Sequence, residues 1–210
     1  MATVTTNPPG PAQAVMETDR LYRISLDQYH RMAELGVLKP ADRVVLLDGV
    51  LVKKMTKGER HVAATKLAVK ALEKCLPPGW HVAKEDPVLL PAGPTGNDSE
   101  PEPDVSVLRG EIRDFAGRKP VPSDVALVVE VADSSLAHDR LGLARYAWAG
   151  IPSPWIVNLP EATVEVYDQP TGPVDNARYL NVQFLKPGAD IPVLLDGREA
   201  GRVAVADVLV

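Results

Sequence analysis

Two spacings of apolar residues run through this chain, one helical and one alternating. Over residues 26–35, Leu26, Tyr29, Met32 and Ala33 recur at helical spacing, Ser25 stands where an N-cap belongs, and Gly36 closes the segment. Val44-Val45-Leu46-Leu47 and Val50-Leu51-Val52 flank Asp48-Gly49, which predicts a hairpin, because a type I′ turn needs positive φ at both central residues. Residues 57–60 read as a polar loop. A second helix is predicted over 61–76, with Ala64, Leu67, Ala68, Ala71, Leu72 and Cys75 as its buried stripe and Pro77-Pro78-Gly79 as its stop. Residues 80–90 contain a strand, and 91–101 form a Gly/Pro/Asn/Asp loop.

Two strongly apolar segments follow. Val105-Ser106-Val107-Leu108 and Ala126-Leu127-Val128-Val129-Glu130-Val131 read as buried strands, joined by a polar connection over 109–123. Asp133-Ser134-Ser135 is a turn, residues 136–149 a third helix ending at Gly150, and residues 154–159 a further strand. Beyond that the pattern is all strand: 163–167 with 178–185, then 191–195 with 202–205 around a second Asp-Gly, Asp196-Gly197. Strand, strand, helix, strand is the order of an α/β core, and antiparallel hairpins stand at both ends.

Composition narrows the class. With 210 residues, 45% of them hydrophobic, the chain suits one core-forming domain over 21–210. No stretch approaches the ~20 consecutive apolar residues of a membrane span. Residues 1–20, rich in Pro, Thr and Ala, have neither the basic start nor the apolar centre of a secretory signal and are expected to form a disordered tail. Cys75 is the only cysteine, which leaves no internal disulfide and suits a reducing cytoplasm. A net charge of −5 argues against a protein that coats nucleic acid along its whole surface. The charge is uneven, however. From Lys53 to Lys74 there are seven Lys or Arg and two Glu, a local +5. That stretch, with Lys54, Lys57, Arg60 and Lys66, is either a surface for a polyanion or a solvated helix face.

The candidate chemistry lies in the two apolar strands. Asp104 follows Glu102-Pro103, and Glu130 interrupts a run of Val and Leu. An ionised carboxylate in a buried strand is costly unless compensated. Two of them meeting at one edge of a sheet repel by roughly 4 kcal/mol at ~4 Å and an effective dielectric of ~20. A divalent cation between them turns that cost into a binding site, and oxygen ligands suit Mg²⁺ or Mn²⁺.

Several segments together resemble the Uma-type restriction endonuclease family of the PD-(D/E)xK nuclease superfamily. They are Leu46-Leu47-Asp48-Gly49, Lys54-Met55-Thr56-Lys57, His61, Glu100-Pro101-Glu102-Pro103-Asp104, Val128-Val129-Glu130-Val131-Ala132-Asp133-Ser134-Ser135, Asp139-Arg140, Tyr146-Ala147-Trp148-Ala149-Gly150-Ile151-Pro152 and Trp155-Ile156-Val157-Asn158-Leu159. The resemblance implies a restriction-endonuclease-like mixed sheet flanked by helices and a Mg²⁺-dependent DNA endonuclease. Asp104 and Glu130 would be its metal ligands, His61 a phosphate contact or proton shuttle, and Arg140 a charge at the site. DNA is the implied partner and a homodimer the implied assembly.

The chain departs from the family pattern at two places. Most of the superfamily has a lysine two positions after the second acidic residue, and here that residue is Ala132. In the Uma-type group the lysine is expected on the next helix, where this chain has Gly142 or Leu143. The family glutamate before Leu-Leu-Asp-Gly is Val45. Arg140, Arg145, Lys54, Lys66 or Lys84 are candidates for the missing cation. The alternative is a nuclease fold that binds DNA without cutting it. Bland roles stand beside the sharp ones: Glu130 in a buried salt bridge with Arg140, His61 at a helix end, Glu102 facing solvent, Tyr146 and Trp155 in the core, Ser134-Ser135 as a turn or cap.

Overall fold

The computed structural model describes residues 21–210, so the tail expected over 1–20 lies outside the described residues. The elements are α1 (Leu26–Glu34), β1 (Val44–Leu47), β2 (Val50–Lys53), α2 (Glu59–Glu73), β3 (Trp80–Ala83), β4 (Val105–Arg109), β5 (Val125–Ala132), α3 (Leu136–Trp148), β6 (Ser153–Asn158), β7 (Thr163–Pro170), β8 (Tyr179–Leu185), β9 (Asp190–Leu195) and β10 (Arg198–Ala204).

Six strands form the central sheet in the order β3-β4-β5-β6-β7-β8. Only β5 and β6 run parallel, with α3 as the crossover between them; every other pair is antiparallel. This mixed sheet with helices is the α/β architecture expected from the sequence. The hairpins β1-β2 and β9-β10 stand as separate two-stranded sheets. Both turns have the backbone that Asp-Gly favours: φ is 49° and 75° at Asp48 and Gly49, and 52° and 73° at Asp196 and Gly197. Ser25 caps α1 in a capping box with Gln28.

Side chains alternate across the sheet, and each face has its own cover. Val105, Val107, Leu127, Val129, Val131, Trp155 and Val157 pack with Ala64, Ala68, Ala71 and Leu72 of α2 and with the β9-β10 hairpin. On the opposite face Val128, Ala132 and Ile156 pack with Leu143 and Tyr146 of α3. Glu130 falls in register with the second set, so its side chain points toward α3.

Two boundaries differ from the sequence expectation. Helix α2 begins at Glu59 with Gly58 as N-cap and ends at Glu73. The polar residues Glu59 and Arg60 therefore belong to its exposed first turn, and Cys75 already lies beyond it. Strand β10 starts at Arg198, because a register irregularity between Glu199 and Gly201 carries the ladder past polar residues up to the turn. Among the described residues no helix is long and apolar enough to cross a membrane.

Candidate active site

Strand pairing brings the two carboxylates together. Val105 is opposite Val129 in the β4-β5 ladder, so Asp104, one residue before β4, comes opposite Glu130. The Asp104 backbone N–H points to Glu130 Oε2 at 3.4 Å, and the Val131 N–H donates to Asp104 Oδ2 at 2.8 Å. Both side chains line a cavity of about 220 Å³ whose walls come from the first hairpin, the start of α2 and one face of α3. On α3 that face is Asp139, Gly142 and Tyr146, at helical i, i+3, i+7 spacing.

Asp104 is 5% exposed and fully engaged. Lys57 Nζ lies 2.6 Å from Oδ1, and His61 Nε2 lies 2.9 Å from Oδ2, a distance at which that imidazole nitrogen carries the proton. Burial opposes the charge on Asp104, but the hydrogen bonds from His61 and Lys57 outweigh it and hold the carboxyl below the usual range. The Thr65 hydroxyl, which donates to the His61 carbonyl at 2.9 Å, packs beside the imidazole. His61 is thus a buried member of the cavity wall rather than a surface residue.

Glu130 has the opposite balance. The Tyr146 hydroxyl donates to its Oε1 at 2.7 Å, and no described cation is bonded to it. Burial first, then the charge of Asp104, push its carboxyl up to about 8, against the pull of the Tyr146 hydrogen bond. Burial likewise raises Asp139, which accepts a hydrogen bond from the Ser135 hydroxyl at 2.6 Å. The cavity therefore holds more carboxyl groups than it can charge on its own.

That excess is the observation that fits a divalent cation. Among the described residues no group of three or more His, Cys, Asp or Glu side chains could by itself hold a metal ion. Mg²⁺ does not need such a cage, since it commonly keeps one or two carboxylates and completes its shell with water and phosphate oxygens. Asp104 and Glu130 are the two hard oxygen groups here that could hold such an ion.

Other sequence candidates land in different places. Lys54 lines the cavity and is ion-paired with Glu102, which is half-buried there rather than facing solvent. Arg60 pairs with Asp133 at 3.3 Å at the edge of the cavity. Lys66 is exposed and five residues along α2 from His61, about 140° around the helix, so it points away from the cavity. Arg140 is a correction: it forms a two-pronged pair with Glu165, with Nε 3.0 Å from Oε2, and is absent from the cavity wall. Glu165 is fully buried and needs a counter-charge, which takes the guanidinium away from Glu130. Arg145 reaches the cavity wall but is committed to the Asp48 carboxylate at 2.8 Å. Val45 and Leu47 give the first hairpin an apolar wall.

Lys57, Tyr146 and Glu85 acquire importance only in three dimensions. Lys57 reads as one of several cations in a basic stretch, and Tyr146 as a core aromatic. Helical spacing of Tyr146 behind Asp139 was the one available signal for its place on the cavity face.

Comparison with known proteins agrees with this architecture. A solved structure similar to the chain is a putative nuclease belonging to DUF820 from Anabaena variabilis, with a TM-score of 0.65 and 18% identity, covering 88% of this chain and 97% of that one. At that identity the likeness speaks for the fold. No curated protein matches the chain. Residues 26–203 match the family described as Uma2, putative restriction endonuclease, and the chain therefore belongs to that family.

Proposed function

We propose that the protein is a divalent-metal-dependent DNA endonuclease, with Asp104 and Glu130 holding Mg²⁺ or Mn²⁺. One observation carries this reading: two carboxylates face each other across β4 and β5 in a cavity where Glu130 lacks a counter-charge. A cation bound there lowers the pKa of a water and offsets charge on the scissile phosphate. The residues around it have separate tasks. Tyr146 orients Glu130. His61 orients Asp104 and fixes its charge. Lys54, at the cavity wall, and Arg60, paired with the lining residue Asp133, supply charge for the DNA backbone.

The test is plasmid cleavage with Mg²⁺ or Mn²⁺ against an Asp104→Ala control. Cutting by the wild type and loss of at least 100-fold in the variant are expected. Equal cutting by both would overturn the assignment.

A second reading, DNA binding without cleavage, is favoured by one feature: no lysine stands at Ala132, Gly142 or Leu143. Duplex retained on a filter without turnover, with affinity falling steeply in salt, would select it. The homodimer is part of the leading proposal and is supported by the uncharged outer strand β8. A cytoplasmic setting belongs to the same reading and is supported by the unpaired Cys75.

A further inference from the structure

The cations lining the cavity do not have equal reach. Lys54 is taken by Glu102 and Arg145 by Asp48. Lys57 alone among them touches the central carboxylate, at 2.6 Å from Asp104 Oδ1. It comes from the loop between β2 and α2, directly before the α2 N-cap Gly58. The other two approaches to the carboxylates bring no charge. Ala132 is fully buried in the core cluster beneath α3. Gly142 faces the cavity without a side chain, and a Cβ built there would meet only Arg145 Nη1, at 3.6 Å.

Lys57 also has a second anchor. Its Nζ lies 2.9 Å from Glu85 Oε1. Glu85 follows β3 in the left-handed region, with φ of 58°, and its backbone N–H donates to the Asp104 carbonyl at 3.3 Å. For a residue other than glycine that conformation is uncommon. It turns the Glu85 side chain back toward Asp104, so the two carboxylates grip one ammonium between them. An ammonium has three donors. Asp104 and Glu85 use two, which leaves one for a ligand in the cavity.

We propose that Lys57 supplies the ammonium that acts on the scissile phosphate and that Glu85 is its positioning residue. This rests on the nuclease reading above and assigns to a loop lysine the charge that neither β5 nor α3 provides. The third donor holds a non-bridging phosphate oxygen. During hydrolysis the water oxygen forms the new bond to phosphorus and the bond from phosphorus to one sugar oxygen breaks. The water gives up one proton and the leaving sugar oxygen takes one up, so Lys57 remains an ammonium throughout. Its work is electrostatic, and it is a catalytic residue in the sense that it touches the reacting group. Glu85 acts only through Lys57.

The experiment has two arms on full-length protein, with melting temperatures as a folding control. In the first, Mn²⁺ binding is measured by calorimetry without DNA. Lys57→Ala removes a competing cation from Asp104 and is expected to tighten Mn²⁺ several-fold, whereas Lys66→Ala, on the face of α2 turned away from the cavity, leaves it unchanged. In the second, cleavage of a labelled duplex is followed at saturating Mn²⁺. Lys57→Ala is expected to lose about 100-fold or more in kcat, the range for removing one donor to a developing oxyanion. Lys57→Ala combined with Gly142→Lys is expected to recover at least 10-fold, because the open position on α3 faces the same cavity. Glu85→Gln lowers kcat with KM little changed, and Glu85→Asp restores part of it. Wild-type cleavage with an unimpaired Lys57→Ala would overturn the inference and leave the nuclease reading standing. A wild type that cuts nothing would overturn the nuclease reading and the catalytic role together. Unchanged Mn²⁺ affinity in Lys57→Ala would overturn the contact with Asp104 whatever the cleavage arm gives.

Discussion

Glu130 faces Asp104 with a tyrosine hydroxyl and the Asp104 backbone N–H to steady it but no counter-charge, and this has a consequence for stability. Its carboxyl, normally near 4.5, is raised to about 8 in the folded chain by burial and by Asp104. Between those two values the folded protein holds a proton that the unfolded chain releases. The stability from this group is complete below the lower value and disappears as the pH climbs through the upper one. Asp104, held low by His61 and Lys57, titrates below this window, and Asp139, raised by burial, adds to the same downward slope. Urea midpoints in EDTA should therefore fall from pH 5 to pH 9, and Glu130→Gln should flatten most of that fall. An identical slope in the variant would contradict the raised carboxyl. Residues of this kind divide by how sequence can announce them. Asp104 and Glu130 stand out because a carboxylate in a Val/Leu strand breaks an apolar pattern. Lys57 does not, because a long flexible side chain in a basic loop could reach many places, and only the fold decides which carboxylate it meets.

At the scale of elements, Arg140 shows how a buried acid on one strand commandeers a helix side chain. Glu165 of β7 is fully buried and is held by Arg140 of α3, by the Tyr167 hydroxyl and by Asn158 Nδ2 at 3.5 Å. This network bolts α3 to β7, two strands along the same sheet face from Glu130. Arg140→Ala leaves Glu165 without its cation. Loss of a buried pair's partner costs roughly 3–5 kcal/mol. Because the guanidinium is 42% exposed and two hydrogen bonds to Glu165 remain, about 2–3 kcal/mol is the expected loss in urea unfolding. Mn²⁺ affinity should be unaffected, and a fall in it would return Arg140 to the metal site. The Asp-Gly turns, the Ser25 cap and the α3 crossover were legible because each is encoded locally, by residues that adopt one backbone shape readily. The partners of Arg140 were not. They depend on which strands lie beside β6, a matter of sheet order that no local pattern carries.

The whole molecule leaves its two sheet edges in different states. Strand β3, at one edge, is only four residues long and runs straight into Lys84-Glu85-Asp86-Pro87, charges and a proline that discourage pairing with another chain. Strand β8, at the other edge, has seven residues, Tyr179–Leu185, with no charge and no proline among them. Leu180, Val182 and Phe184 are 60%, 38% and 56% exposed, and alternate positions place all three on one face. Antiparallel pairing of β8 with a second copy about Val182 would set Leu180 of one copy against Phe184 of the other and fuse two six-stranded sheets into one. Two-fold pairing of this kind closes on itself and forms a dimer rather than a fibre. Sedimentation velocity at micromolar concentration should give a dimer for the wild type. Val182→Lys places two ammonium groups face to face at the centre of the pairing and should weaken association at least 10-fold, since directly opposed like charges destabilise a strand pair. Because residues 179–185 lie four strands away from Asp104 in the sheet, the same substitution should leave Mn²⁺ binding intact. A monomeric wild type would remove β8 as an interface, while a dimer unaffected by Val182→Lys would move the contact elsewhere on the surface.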